Sequence, residues 1–245
     1  MDQPAEMMAP DPMVRRIGGL DWAAIGAALE TDGVATIAGL LDPAACARVI
    51  ALFDDPARFR KRVVMDAHGY GRGVYQYFGT PLPEPVATLR AALYPGLAAI
   101  ADRWAAALGE AVRFPPDHAT FLARCHAAGQ MRPTPLLLRY GPGDYNRLHQ
   151  DLYGPHVFPF QAVVLLAAPG RDFVGGEFVL TEQRARMQSR VEVVPLDQGD
   201  AAIFPVHHRP VAGARGLSRA VMRHGVSRVR AGGRMTLGVI FHDAA

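Results

Sequence analysis

Apolar residues recur at three- and four-residue spacing from Asp21 onward, with Trp22, Ile25 and Leu29 on one side, which predicts an amphipathic helix. The pattern breaks at the turn signal Asp32-Gly33, and residues 34–37 read as a short strand. Asp42-Pro43 restarts a helix, with an acid at the N-cap and proline at the first helical position. Val49, Ile50, Leu52 and Phe53 are its apolar positions. Residues 66–83, rich in Gly, Tyr and Pro, read as a long irregular loop. The longest helical stretch runs from Pro85 to about Leu108, with Leu89, Leu93, Leu97, Ile100 and Trp104 on one side.

After Pro133 the texture changes. Short apolar runs at 136–140, 161–167, 176–181, 191–195, 201–206, 221–226 and 236–241 are separated by turn residues, the pattern of a β-sandwich or jelly roll. The fold expected is therefore α+β: a loose leader over 1–17, helical support over 18–132, and a β core over 133–245. No linker composition divides them, so one domain is expected.

Composition changes this picture little. A chain of 245 residues, half of them apolar and a fifth charged, buries a core without disulfide or zinc support. Apolar runs such as 162–168 fall far short of the ~20 residues that span a bilayer. Asp2, Glu6 and Asp11 give the N-terminus no cationic start for a secretory signal. Two cysteines, Cys46 and Cys125, suit a reducing compartment, so a soluble cytoplasmic protein is expected, with no membrane partner. Charge is uneven. All but one of the 26 basic residues are arginine; residues 1–57 carry net −6, residues 58–139 net +6 and residues 171–234 net +5. Such segments can face phosphates or carboxylates, or simply record a GC-rich genome; charge alone separates neither.

The chemistry centres on His149-Gln150-Asp151. On extended backbone, residues i and i+2 project to one side, so an imidazole and a carboxylate point together. A second histidine from a neighbouring strand completes a 2-His-1-carboxylate triad, which leaves positions open on non-heme Fe(II). His224, in Arg223-His224-Gly225-Val226-Ser227, is the candidate for that histidine. Ten residues on lies Arg234, and a strand, a turn at Gly232-Gly233 and a returning strand would carry it back to the same end. Its planar fork suits the distal carboxylate of a dicarboxylic acid, and Thr236, on the same strand face, can donate a hydroxyl to it. Zinc fits poorly. His207-His208 point to opposite strand faces, so at most one of them joins the site, and Cys125-His126 and His242-Asp243 lack partners at ligand spacing.

At these residues the chain resembles the Fe(II)/2-oxoglutarate-dependent dioxygenases, whose core is a double-stranded β-helix, or jelly roll. The resemblance covers roughly residues 134–243. Arg139-Tyr140-Gly141-Pro142-Gly143, Gly175-Gly176-Glu177 and Gly199-Asp200 with Phe204 are similar to flanking motifs of the prolyl-hydroxylase branch. It implies Tyr140 as a hydrogen-bond donor to 2-oxoglutarate; a buried aromatic with a satisfied hydroxyl is the alternative. Over nearly the whole chain, Phe59-Arg60-Lys61-Arg62-Val63-Val64-Met65, Gly71-Arg72-Gly73-Val74-Tyr75, Leu148-His149-Gln150-Asp151-Leu152-Tyr153-Gly154 and Thr181-Glu182-Gln183 resemble a bacterial subfamily described as acting in oxidative demethylation of damaged nucleic acid. One departure is plain: the nucleobase-repair branch carries a second arginine six residues after the first, where this chain has Ile240.

The resemblance implies Fe(II) on His149, Asp151 and His224, 2-oxoglutarate held by Arg234 and Thr236, O2 as oxidant, and hydroxylation of a substrate C–H with release of succinate and CO2. Three substrate classes follow. An N-methyl group of a damaged base could enter, with Tyr70, Tyr75, Tyr77 and Phe78 stacking it and Arg58, Arg60 and Arg62 meeting phosphates of single-stranded or damaged nucleic acid. These aromatics could instead pack a helix on the jelly roll, and the arginines pair with Asp54, Asp55 and Asp66 along a solvated helix face. The second class is a peptidyl or free amino-acid side chain. The third is a non-catalytic jelly-roll binding protein, against which the intact triad speaks.

Overall fold

Two antiparallel sheets carry the structure, a computed structural model that describes residues 12–213 and 216–245. The larger sheet has seven strands in the order Ala35–Ile37, Ala201–Pro205, Phe160–Leu165, Arg234–Ile240, Leu136–Tyr140, Val74–Phe78 and Phe59–Val64. The smaller has Arg190–Val194, Phe178–Gln183, Gly216–Val226, Tyr145–His149 and Gly71–Arg72, with His208–Gly213 also pairing Gly216–Val226. Val229–Gly232 pairs with Phe173–Gly175 apart from both. This is the jelly roll expected.

Strand alternation sorts the two faces of the larger sheet. Ala162, Val164, Ala201, Ile203, Leu237 and Val239 join one buried cluster with Leu89, Leu93, Leu97, Ile100 and Trp104 of helix Glu84–Ala107. Each leucine, isoleucine or valine of this cluster, fully buried, contributes about 1.5–3 kcal/mol. The alternate residues Val163, Ala202 and Phe204 face the smaller sheet and pack with Phe178, Leu180 and Met222. The helices begin where their caps dictate: Asp21 accepts from Ala24 N at 2.9 Å, and Asp42 from Ala45 N at 2.7 Å. Gly96 lets helix Trp22–Thr31 dock on the long helix, because a Cβ there would lie 2.2 Å from the Trp22 ring. Among the described residues, no helix is long and apolar enough to cross a membrane.

Several expectations change. Residues 12–17 are not loose leader, since helix Pro12–Gly18 buries Ile17; residues 1–11 lie outside the described residues. The support over 18–132 is not only helical. Ala35–Ile37 pairs with Ala201–Ile203, and Val74–Phe78 pairs with the strand Leu136–Tyr140, so the N-terminal half completes the larger sheet. The loop expected over 66–83 holds that strand, whose backbone partners override the local glycines and proline. The basic stretch is strand Phe59–Val64 rather than a helix face; Arg58 alone of its arginines pairs with Asp55, at 3.1 Å. Gly232-Gly233 is not a hairpin turn, because Gly216–Val226 and Arg234–Ile240 belong to opposite sheets.

Helix His118–Ala127, which the apolar pattern does not mark, buries His118 beneath the long helix with its Nε2 donating to Phe241 O at 2.8 Å. Burial, with Arg90 nearby, pushes His118 from 6.5 down to about 4, so the folded state refuses a proton that the unfolded chain accepts. Its contribution is therefore complete above pH 6.5 and is lost as pH falls towards 4, by up to roughly 3 kcal/mol. Urea midpoints taken from pH 7.5 to 4.5 are expected to fall in the wild type and to fall less in His118→Gln. His242 and His224, which burial also pushes to about 4, share the remainder. An identical fall in both proteins would remove His118 from the effect.

Candidate active site

Strands Tyr145–His149 and Gly216–Val226 pair so that His149 and His224 stand directly opposite, their ring centroids 4.1 Å apart. The first strand ends at His149, and Asp151 projects to the same side from the loop just beyond. His149 Nε2 lies 3.7 Å from Asp151 Oδ1, and His224 Nε2 lies 3.4 Å from Asp151 Oδ2. Among the described residues this is the one group of three His, Cys, Asp or Glu whose donor atoms, all within 4.8 Å of one another, can hold a metal ion. Protonation states suit a cation. Burial, and then the neighbouring His149, push His224 down to about 4, leaving its imidazole neutral. Burial alone would raise the Asp151 carboxyl, but the His224 hydrogen bond and the two imidazoles outweigh it and hold it below the carboxylate range. His149 Nδ1 donates to Arg147 O at 2.7 Å, which fixes the tautomer with Nε2 free.

The larger sheet supplies the opposite wall. Arg234 pairs with Tyr140 and Thr236 with Leu138 across adjacent strands, and alternation turns Arg234 and Thr236 together into the cavity between the sheets. The Arg234 guanidinium is 1% exposed and lies 5.5 Å from the Tyr140 ring centre, with no carboxylate paired to it among the described residues. Burial lowers its pKa to about 10, so it stays charged. Gly176, at φ +65°, makes room for it, since a Cβ there would meet Arg234 Cδ at 2.8 Å.

Gln161 completes this wall, its Nε2 3.1 Å from His224 Nε2. Along the chain Gln161 reads only as the start of an apolar run; an amide within such a run is the one signal that marks it. Eight buried side-chain polar atoms lack a hydrogen-bond partner among the described residues. Five of them belong to this site: Arg234 Nε and Nη1, Tyr140 Oη, Gln161 Oε1 and His224 Nδ1. Stranding that many polar atoms costs roughly 1–3 kcal/mol each. Their concentration beside the triad, with the charged Arg234 among them, marks a place shaped for a polar, anionic ligand.

The cavity holds about 550 Å³, and Tyr70, Tyr75 and Tyr77 are among the residues that line it. Arg60, Lys61, Arg132 and Arg147 line it too, and Asp151 is the only acid among its lining residues. Phe78 does not reach it; fully buried, it stacks on Phe59 at 4.8 Å. Ile240 stands in its wall, so its cations come from other strands and loops. Neither His207 nor His208 joins this cavity; both line a separate one of about 370 Å³ beside Trp104 and Leu152.

Comparison with known proteins agrees with this geometry. An oxidoreductase of the 2OG-Fe(II) oxygenase family from Burkholderia pseudomallei has the same fold, with a TM-score of 0.51 and 18% identity over 93% of this chain and 94% of that one. The non-heme alpha ketoglutarate dependent epimerase SnoN from nogalamycin biosynthesis gives 0.52 and 16%, over 89% and 80%. The likeness is one of fold: the chain has the jelly roll of these proteins, with the His149, Asp151 and His224 group in the cavity between its sheets. Residues 73–244 match the Oxygenase-NA family, described as an oxygenase catalysing oxidative methylation of damaged DNA, and the chain belongs to that family. The uncharacterized protein Rv2227 of Mycobacterium tuberculosis (strain H37Rv) is 47% identical over 193 residues, covering 77% of this chain and 82% of that protein.

Proposed function

We propose that His149, Asp151 and His224 hold Fe(II), that Arg234 with Thr236 and Tyr140 holds the far carboxylate of 2-oxoglutarate, and that the cavity admits an N-alkylated base of single-stranded or damaged nucleic acid. One observation carries the co-substrate assignment: the buried Arg234 guanidinium, with Nε and Nη1 unpartnered, lines the same cavity as the triad. Fe(II) held by these three residues would supply O2 activation coupled to conversion of 2-oxoglutarate to succinate and CO2, with the second oxygen atom inserted into a substrate C–H bond. An N-methyl group hydroxylated in this way departs as formaldehyde.

The chain's own residues provide position and dryness. Asp151 supplies charge, and His149 and His224 each offer an Nε2 atom. Arg234 and Thr236 set the co-substrate's distance from the triad, and Leu136, Leu138, Phe178 and Phe204 keep the interior apolar. The substrate half of the reading is supported by the family description, by the tyrosines that line the cavity, and by four cations there besides Arg234, against Asp151 as the one acid.

The deciding experiment measures succinate formed with Fe(II) and 2-oxoglutarate in the presence of methylated single-stranded DNA, unmethylated DNA or peptides. Stimulation by methylated DNA with formaldehyde release is expected. Stimulation by peptides alone would transfer the site to amino-acid hydroxylation. The rim makes a separate prediction: affinity for single-stranded DNA falls with salt, because neutralised phosphates release counterions. Substituting the exposed Lys61, Arg132 and Arg147 by alanine is expected to flatten the log–log salt slope by about 0.7 for each phosphate no longer neutralised. A wild type without salt-dependent DNA affinity at low ionic strength would sink the nucleic-acid reading.

A further inference from the structure

The loop that carries Asp151 is pinned from both sides through its backbone. Gln130, fully buried, donates to Tyr153 O at 2.7 Å and to His156 O at 3.0 Å, and accepts from His156 N at 2.8 Å. Gln150 reaches the other way, donating to Met222 O at 2.8 Å. These bonds place the Asp151 Cα; they leave the carboxylate free to turn about its side-chain torsions.

A hydrogen bond from outside the triad restricts that freedom. Tyr153 Oη donates to Asp151 Oδ1 at 2.7 Å. A phenol has one proton, and an ionised carboxylate only accepts. The Tyr153 proton is thus committed to Asp151, and the 3.0 Å bond between Tyr77 Oη and Tyr153 Oη must run from Tyr77. Accepting that bond makes Tyr153 a stronger donor, since hydrogen bonds in a chain polarise one another. Tyr77 is itself held, 8% exposed, beneath the Arg60 guanidinium at 4.6 Å. His149 already has its outer partner in the Arg147 carbonyl. The tyrosine pair is the counterpart for Asp151.

We propose that Tyr153, backed by Tyr77, is a positioning residue that holds the Asp151 carboxylate in its metal-binding orientation, so that metal affinity depends also on Tyr77, a residue of the substrate-cavity wall that touches no member of the triad. The inference rests on the triad's holding a metal. Groups that orient a metal ligand typically cost 10–100-fold in affinity when removed.

The test is Mn(II) titration of the purified protein, reading free Mn(II) by electron paramagnetic resonance, with the visible spectrum of the Co(II)-loaded protein as a second readout. Tyr153→Phe, which keeps the ring, is expected to weaken Mn(II) binding about 10–100-fold and to alter the Co(II) bands. Tyr77→Phe leaves Tyr153 in place and is expected to weaken binding less, with no added effect in the Tyr153→Phe background. It therefore reads the same chain of hydrogen bonds should Tyr153→Phe fold poorly. Equal Mn(II) affinity and equal Co(II) spectra in the wild type and both single variants would overturn this inference alone. A wild type that binds no Mn(II) would overturn it together with the metal triad.

Discussion

Alanine at His149, Asp151 or His224 is expected to abolish metal-dependent succinate formation, each substitution by itself. Three donors are the whole set: no other group of three His, Cys, Asp or Glu among the described residues can hold an ion. The loss should therefore exceed the roughly 10–100-fold effect of losing an outer hydrogen-bond partner. Folding should survive, since His224 and Asp151 sit in the cavity wall and the apolar clusters behind the sheets are untouched. Metal titration of the three variants beside their thermal unfolding checks both halves. Wild-type affinity in any one of them would remove that residue from the triad.

Arg234→Leu should separate function from stability. Removing a charged partner from a buried carboxylate typically costs about 2–5 kcal/mol, a rise in the 2-oxoglutarate KM of roughly 30-fold to several thousand-fold. Metal binding should persist, because Arg234 lies on the sheet opposite the two histidines. The ligand-free protein should be no less stable, and by about 1–3 kcal/mol more stable, because the substitution removes a desolvated cation that has no carboxylate partner. A purely structural arginine predicts the reverse. Measuring the 2-oxoglutarate dependence and the urea midpoint on the same preparations discriminates them. An unchanged KM would give the role to another cation, Arg228 or Arg230 being nearest in sequence.

Both predictions stand on residues that local sequence pattern is enough to single out. His-x-Asp is such a signal: two residues of extended backbone suffice to point both side chains one way. Arg234 and Thr236 are legible for the same reason. The roles of Gln161, Tyr77 and Tyr153 are not, because nothing local distinguishes them. Gln161 opens an apolar run, Tyr77 sits in a stretch with the composition of a loop, and Tyr153 matters only through the Asp151 oxygen it reaches. The strand Val74–Phe78 is hidden by its flanking glycines and prolines, whose turn preference gives way once Leu136–Tyr140 supplies backbone partners.

Local pattern thus reads what is local: the helices from Trp22, Pro43 and Glu84, the short strands of the second half, the jelly-roll class and the candidate metal-ligand residues. A period of 3.6 or 2 is written in neighbouring positions and needs no partner to be read. Register and the facing of the sheets are decided only by the folded whole. His149 opposite His224, Arg234 across from the triad, the tyrosine bond to Asp151 and the basic stretch as an edge strand all depend on tertiary pairing. Such pairings are selected by burying one face of every strand at once, and a one-residue slip in either sheet would turn its site side chains out of the cavity.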